Sequence, residues 1–232
     1  MNQFLLNDKR IVVTGAASGI GKATADLLSE LGASVISIDK NDMSSDGKTI
    51  ICDLAKDNIK STFSDLYDLD GLVHCAGIPY IAPLQSISKE KCNEVWQINT
   101  YAAIELSKHF VRKSKKGSIV YISSDHALVG AGVNTGYAAS KAALHGITKS
   151  LAIELAPRFR VNCIAPGWVK TAMANEVSPK FHEGFEEKVA KLYPLGIGRP
   201  EHVAYCIAFL LSDASEWITG TIINVDGGFT AQ

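Results

Sequence analysis

The sequence predicts one α/β domain built on a doubly wound sheet of about seven parallel strands, with helices on both faces. Three observations carry that reading. Apolar runs of strand length alternate with helical patterns from one end of the chain to the other, the signature of strand-helix-strand units. The runs are continuous, as strands covered on both faces must be. A glycine-rich segment follows the first run and opens the first helical pattern. With 232 residues, 47% of them hydrophobic, the chain is long enough for one such domain, taken as 1–232.

Taken in order, the first strand is expected over 11–14, and the turn Thr14-Gly15-Ala16-Ala17-Ser18-Gly19-Ile20-Gly21 leads into a helix over 19–31. A second strand, 34–39, closes on Asp39. The next segment, 40–48, is polar and too short for the crossover helix that parallel strands usually need, so a loop is expected there. A third strand over 49–52 precedes Asp53 and a helix over 56–67. The fourth strand, 71–74, ends in His74-Cys75-Ala76-Gly77. A long helix over 88–113 carries Asn99 inside it, where asparagine is mildly unfavourable. Strand five, 118–123, ends in Ser123-Ser124, and a glycine-bearing loop returns to a helix over 136–156. Strand six, 160–164, helices over 178–192 and 200–212, and a last strand over 221–225 complete the order, with neither repeats nor low-complexity tracts.

Composition excludes several classes. The 23 basic and 24 acidic residues give a formal net charge of -1, which offers no footprint for nucleic acid or an anionic membrane. The five cysteines, Cys52, Cys75, Cys92, Cys163 and Cys206, contain no C-x-x-C pair and read as buried thiols of a reducing compartment, with neither a disulfide framework nor a metal site. The apolar part of the amino terminus is too short for a signal sequence, and no stretch approaches the ~18 apolar residues of a membrane span. A cytoplasmic protein is expected.

Chemistry enters at Gly136-Tyr137-Ala138-Ala139-Ser140-Lys141. Four residues apart on a helix, Tyr137 and Lys141 share a face, and an ammonium beside a phenol favours the phenolate. The tyrosine pKa is therefore expected to fall towards neutrality, making an acid/base device. A hydroxyl at the end of the fifth strand lies where open α/β sheets place their chemistry. The glycine turn has the spacing G-x-x-x-G-x-G, which lets the backbone approach a pyrophosphate at a helix amino terminus. Gly21-Lys22 also resembles the end of an NTPase phosphate loop, but Ala16 stands where that motif needs its first glycine and Ala23 where it needs a hydroxyl. Asp39, twenty-four residues after Gly15, is placed to accept from ribose hydroxyls and to repel a 2′-phosphate, and no arginine sits in the glycine turn, so NAD is expected over NADP, with Lys40 the one residue that could admit the latter.

Over essentially its whole length the chain resembles the short-chain dehydrogenase/reductase family, whose fold is Rossmann-like. The spacing of thirteen from Ser124 to Tyr137 matches the family and selects Ser124 over Ser123. The resemblance implies a catalytic set of Asn99, Ser124, Tyr137 and Lys141. Tyr137 would be the general acid/base, Ser124 would bond the reacting oxygen, Lys141 would hold the nicotinamide ribose, and Asn99 would distort its helix and hold a water. It implies cofactor contacts from Gly15, Ser18, Gly19, Ile20, Gly21, Asp39, Asp53, Leu54, Ala76, Gly77, Tyr137, Lys141, Pro166, Gly167, Val169 and Thr171. Asp53 is equally compatible with a helix cap. His74-Cys75 departs from the amides usual in the family, which puts the local sheet-stabilising hydrogen bonds in doubt. Ser124, His126 and Trp168 are candidates for substrate contact, although a loop histidine also commonly bonds its neighbouring backbone. Residues 172–198 would form a lid over substrate. The implied reaction is hydride transfer between NAD(H) and a small secondary alcohol or ketone, in a homotetramer built through the helices that carry Asn99 and Tyr137. The pattern is similar to members that oxidise cyclic or dihydrodiol alcohols. The alternatives are an NADPH-dependent 3-oxoacyl-carrier-protein reductase, for which Lys113, Lys115 and Lys116 would be a docking patch, and a non-catalytic NAD-binding sensor, against which the intact set of four argues.

Overall fold

A computed structural model describes residues 3–43, 47–177 and 184–231. Among them, seven parallel strands form one sheet in the order β3-β2-β1-β4-β5-β6-β7. They are β1 (Arg10–Thr14), β2 (Ser34–Asp39), β3 (Lys48–Ile51), β4 (Gly71–His74), β5 (Gly117–Ile122), β6 (Phe159–Pro166) and β7 (Ile222–Val225). The order reverses between β1 and β4, which opens a crevice at the carboxyl ends of those strands.

Both faces of the sheet are covered. Val12, Leu72, Ile119 and Val161 lie in register across four strands and are fully buried against α4 (Ala102–Arg112) and α5 (Thr135–Leu155). Their neighbours Val13, Val73 and Val120 point the other way, into a core shared with α1 (Gly19–Glu30) and α8 (Pro200–Leu211). Burying each such side chain contributes about 1.5–3 kcal/mol, and two dry faces explain why the strands read as unbroken apolar runs. Among the described residues no helix is long and apolar enough to cross a membrane.

Three expectations on helices need correction. The helix expected over 56–67 shrinks to α2 (Ile59–Thr62). Ser61 and Ser64 turn their hydroxyls onto the backbone carbonyls of Asn58 and Ser61, and Phe63, Ser64 and Leu66 continue as single turns closed over three residues. Leu66 and Leu69 still reach the core. The helix expected over 88–113 is divided into α3 (Lys89–Trp96), a π-helical turn (Gln97–Tyr101) and α4. Of the helix expected over 178–192, residues 178–183 lie outside the described residues and the rest contains only α7 (Phe185–Ala190); a separate short helix, α6 (Ala172–Val177), precedes it. Between β2 and β3 no helix occurs among the described residues, as the shortness of that segment led us to expect.

Candidate active site

At the end of β1 the chain turns through Gly15, whose φ of +69° is open to glycine, and enters α1. A Cβ on Gly15 would lie 2.7 Å from the backbone nitrogen of Ala76, and one on Gly21 would overlap the carbonyl oxygen of Gly15. The bare backbone thus forms a tight cradle. Ser18, the N-cap of α1, makes no side-chain capping bond, and the first turn holds no acidic residue, so the free N–H groups and the positive end of the helix face that cradle. These features suit a pyrophosphate.

A cavity of 330 Å³ runs from this cradle past Ser18, Gly19 and Ile20 to Asp39, Asp53 and Leu54, with Ala76 and Gly77 along its other wall. Asp39 accepts hydrogen bonds from the backbone N–H groups of Ala17 (3.1 Å) and Asn41 (3.0 Å), which fix its carboxylate at the rim. A carboxylate has about four acceptor positions, so two remain for a diol. Asp53 accepts from Ala55 N–H (3.0 Å), and that bond, assisted by Lys56, holds its carboxyl below the usual range. It therefore caps a turn and lines the cavity at once.

A second cavity, of 410 Å³, shares Ile20, Gly77 and Thr171 with the first. Ser124, His126 and Trp168 line it, as do Tyr137 and Lys141 from α5 and Pro166, Gly167, Val169 and Thr171 from the end of β6. Every residue expected at the site except Asn99 thus borders one of two adjoining spaces. Asn99 lies behind them in the π-helical turn. Its Oδ1 accepts from Ile78 N–H (2.9 Å), while its Nδ2 donates to the Ile78 carbonyl and to Ser140 Oγ, both at 3.1 Å. Asn99 clasps the loop after β4 to α5. Gly77 is drawn so close that a Cβ there would lie 3.0 Å from Lys141 Nζ and 3.3 Å from Asn99 Oδ1.

The electrostatics reverse one expectation. Lys141 Nζ lies 5.9 Å from the centre of the Tyr137 ring, on the shared face, and donates to the Ile122 carbonyl (2.8 Å). Burial nevertheless pushes Tyr137 up to about 12, with the Ser124 hydroxyl pulling it back in part and the Asp125 carboxylate raising it further. Burial also pushes Lys141 down to about 8. Desolvation therefore dominates the Tyr137 shift, and the phenol stays protonated at neutral pH.

The departure at His74 also finds its explanation. Its imidazole is fully buried between Thr14 Oγ1 (2.9 Å from Nδ1) and the Ile98 carbonyl (3.1 Å from Nε2). A carbonyl can only accept, so Nε2 carries the proton and Nδ1 accepts from Thr14. One side chain thereby ties β1, β4 and the π-helical turn together. Burial, reinforced by Lys141, pushes its pKa down to about 3 from the ordinary 6.5. Between those values the unfolded chain takes up a proton that the folded chain refuses, so the stabilisation is complete above about pH 6.5 and is lost as pH falls. The expected loss from this group between pH 7 and pH 5 is about 2 kcal/mol. Urea unfolding at the two pH values should show it in the wild type and should show it diminished by that amount in His74→Asn. Equal losses in both proteins would contradict the role. Beside it, burial pushes the Cys75 thiol up to about 12, so it stays protonated.

Two residues given no individual role by the sequence, Asp125 and, within 172–198, Tyr193, join the site. Asp125, only 3% exposed, receives the Tyr193 hydroxyl on Oδ2 (2.7 Å) and both Ser124 Oγ (3.0 Å) and His126 N–H (2.8 Å) on Oδ1. Tyr193 in turn stacks on Phe229, ring centres 4.8 Å apart. Asp125 adjoins Ser124 in sequence, but nothing local to Tyr193 signals a partner 68 positions away.

Fold and site together define an oxidoreductase of the doubly wound, dinucleotide-binding kind. Comparison with known proteins agrees. The family described as Enoyl-(Acyl carrier protein) reductase matches residues 15–230. The 3-oxoacyl-[acyl-carrier-protein] reductase FabG of Rickettsia conorii is 37% identical, over 96% of this chain and 97% of that protein. The NAD-dependent glycerol dehydrogenase of Listeria innocua is 34% identical, over 99% and 96%. The structure of a putative NAD(P) dependent gluconate 5-dehydrogenase from Beutenbergia cavernae, with bound NADP at low occupancy, superposes with a TM-score of 0.93 over 100% of both chains at 32% identity. The chain belongs to the short-chain dehydrogenase/reductase family.

Proposed function

We propose that the protein is an NAD(H)-dependent oxidoreductase acting on a secondary alcohol or the corresponding ketone, with Tyr137 as general acid/base. The observation that carries this reading is the convergence of Ser124, Tyr137 and Lys141 on one cavity that adjoins the glycine cradle. A nicotinamide, when bound, supplies or accepts the hydride. In reduction Tyr137 donates its proton to the carbonyl oxygen, and Ser124, its hydroxyl turned from Asp125 to the substrate, bonds that oxygen as charge develops. In oxidation Tyr137 takes the alcohol proton, which requires its phenolate. Lys141 holds the ribose and, as a cation, favours that phenolate, while Asn99 positions Lys141 through the loop at Gly77 and Ile78. Val169 and Thr171 would contact the carboxamide, and Asp53 and Leu54 the adenine. Residues 172–198 would act as the lid, since Met173, Ala174, Val189 and Tyr193 border the cavity. Exposed Trp96, Tyr101 and Ile104 around Asn99, and Ile153 on α5, leave apolar surface for assembly through the helices that carry Asn99 and Tyr137, and that assembly would be a homotetramer.

NAD is favoured over NADP because the carboxylate of Asp39, fixed at the cavity rim, would repel a 2′-phosphate seated there. The second reading, an NADPH-dependent 3-oxoacyl-carrier-protein reductase, is favoured by the FabG relatives and by Lys40 at the same rim. Fluorescence titration with NADH and NADPH separates the two. NADH should bind more tightly, and Asp39→Ala should relax the discrimination by about tenfold, the equivalent of roughly 1.4 kcal/mol of removed repulsion. Tighter NADPH binding by the wild type would sink the assignment of Asp39, give the role to Lys40 and bring the second reading forward.

A further inference from the structure

The cavity floor carries a charge that the hydride-transfer scheme does not use. The Asp125 carboxylate is buried, and its three hydrogen-bond donors among the described residues, the hydroxyls of Ser124 and Tyr193 and the N–H of His126, are all neutral. Among the described residues the only potential cation within 4.0 Å is the His126 imidazole, at 3.9 Å. Lys141 directs its ammonium to the Ile122 carbonyl instead. A second carboxylate, Asp226, is near enough to Tyr193 to reinforce the burial that holds its phenol protonated, and accepts from Thr230 and from Gly228 N–H. Ile81, Trp168 and Val189 make much of the remaining wall apolar, so the wall itself offers the negative floor few polar groups.

We propose that Asp125 is a specificity-determining residue that restricts this cavity to neutral substrates and excludes those carrying a carboxylate near the reacting carbon. The inference rests on the proposed reaction, because that reaction seats the carbonyl oxygen on Ser124 and Tyr137. Asp125 Oδ1 is 3.0 Å from Ser124 Oγ. A carboxylate two carbons from the carbonyl is then held within roughly 10 Å of Asp125 whichever way it points. At an effective permittivity of about 20 the repulsion corresponds to about a fifteenfold penalty in binding or more.

The test compares kcat/KM for ethyl acetoacetate and for acetoacetate, which is ionised at neutral pH, using the cofactor that binds more tightly. The wild type should prefer the ester by tenfold or more. Asp125→Asn should narrow that ratio severalfold, and because the ratio cancels any loss common to both probes, a merely structural role would leave it unmoved. Tyr193→Phe keeps the carboxylate and removes one donor, so it should retain or sharpen the preference. If Asp125→Asn does not fold, as judged by circular dichroism, the wild-type ratio and Tyr193→Phe decide the matter. A wild-type ratio within twofold of unity, an unchanged ratio in a folded Asp125→Asn, or loss of preference in Tyr193→Phe would overturn the assignment while leaving the reaction standing. Absence of turnover of both probes by cofactor-bound wild type would count against the reaction and the inference together.

Discussion

Replacing Tyr137 by phenylalanine should lower kcat by about 10²–10⁴-fold, the usual value of a positioned acid/base group, while leaving the melting temperature near that of the wild type and weakening cofactor binding by far less than kcat. The ring keeps its edge-on contact with His126, 6.4 Å between centres, and its place beside Lys141, so the change removes the hydroxyl and its hydrogen bond with Ser124 and leaves the packing in place. Steady-state kinetics with a ketone, alongside cofactor titration, checks both halves. The raised pKa of the tyrosine adds a directional consequence. As a phenol up to about pH 12, it is ready to donate across neutral pH, whereas oxidation needs the phenolate. Alcohol oxidation should therefore accelerate as pH rises from 7 to 9, and ketone reduction should not. A fall in kcat of less than tenfold in the variant would remove Tyr137 from the acid/base role.

Alanine at Gly21 should abolish dinucleotide binding at any practical cofactor concentration and destabilise the fold by about 3 kcal/mol. A Cβ there would overlap the Gly15 carbonyl oxygen, a backbone atom with no side-chain freedom to yield. Relief requires α1 to withdraw from the end of β1, and Gly15 cannot retreat because it already abuts Ala76. The cradle then widens and its N–H groups lose their common aim. Thermal melts with and without NADH provide the check. A variant that melts like the wild type and is stabilised equally by cofactor would contradict the packing of this turn.

What sequence discloses here, and what it conceals, follows from the range of the interactions. The strands were legible because both sheet faces are dry, so β1, β4 and β5 are written as unbroken apolar runs. The cradle, Asp39, and the Tyr137–Lys141 pair were legible because their residues are neighbours in the chain or share a helix face. Asn99 betrayed itself as a polar residue in a good helix, and the structure places it in a π-helical turn. The short α2 was hidden because the apolar spacing of Phe63, Leu66 and Leu69 survives in successive turns that are not a helix. His74 read only as a missing amide, since Thr14 and Ile98 are joined to it by the fold alone. The sign of the Tyr137 shift was misjudged because proximity to a lysine is readable at four residues' spacing, whereas the burial that defeats it is not. Tyr193 and Asp125 meet across two elements, and no local pattern announces the pair.

The most direct test of the proposed reaction is deuterium transfer from nicotinamide-deuterated NADH to a ketone, read by mass spectrometry of the alcohol formed. The expected result is a single deuterium on the carbinol carbon with the wild type and none with Tyr137→Phe on the same timescale. Tight NADH binding with no deuterium in any of a panel of neutral ketones would contradict the account and leave a protein that binds the cofactor without turning it over.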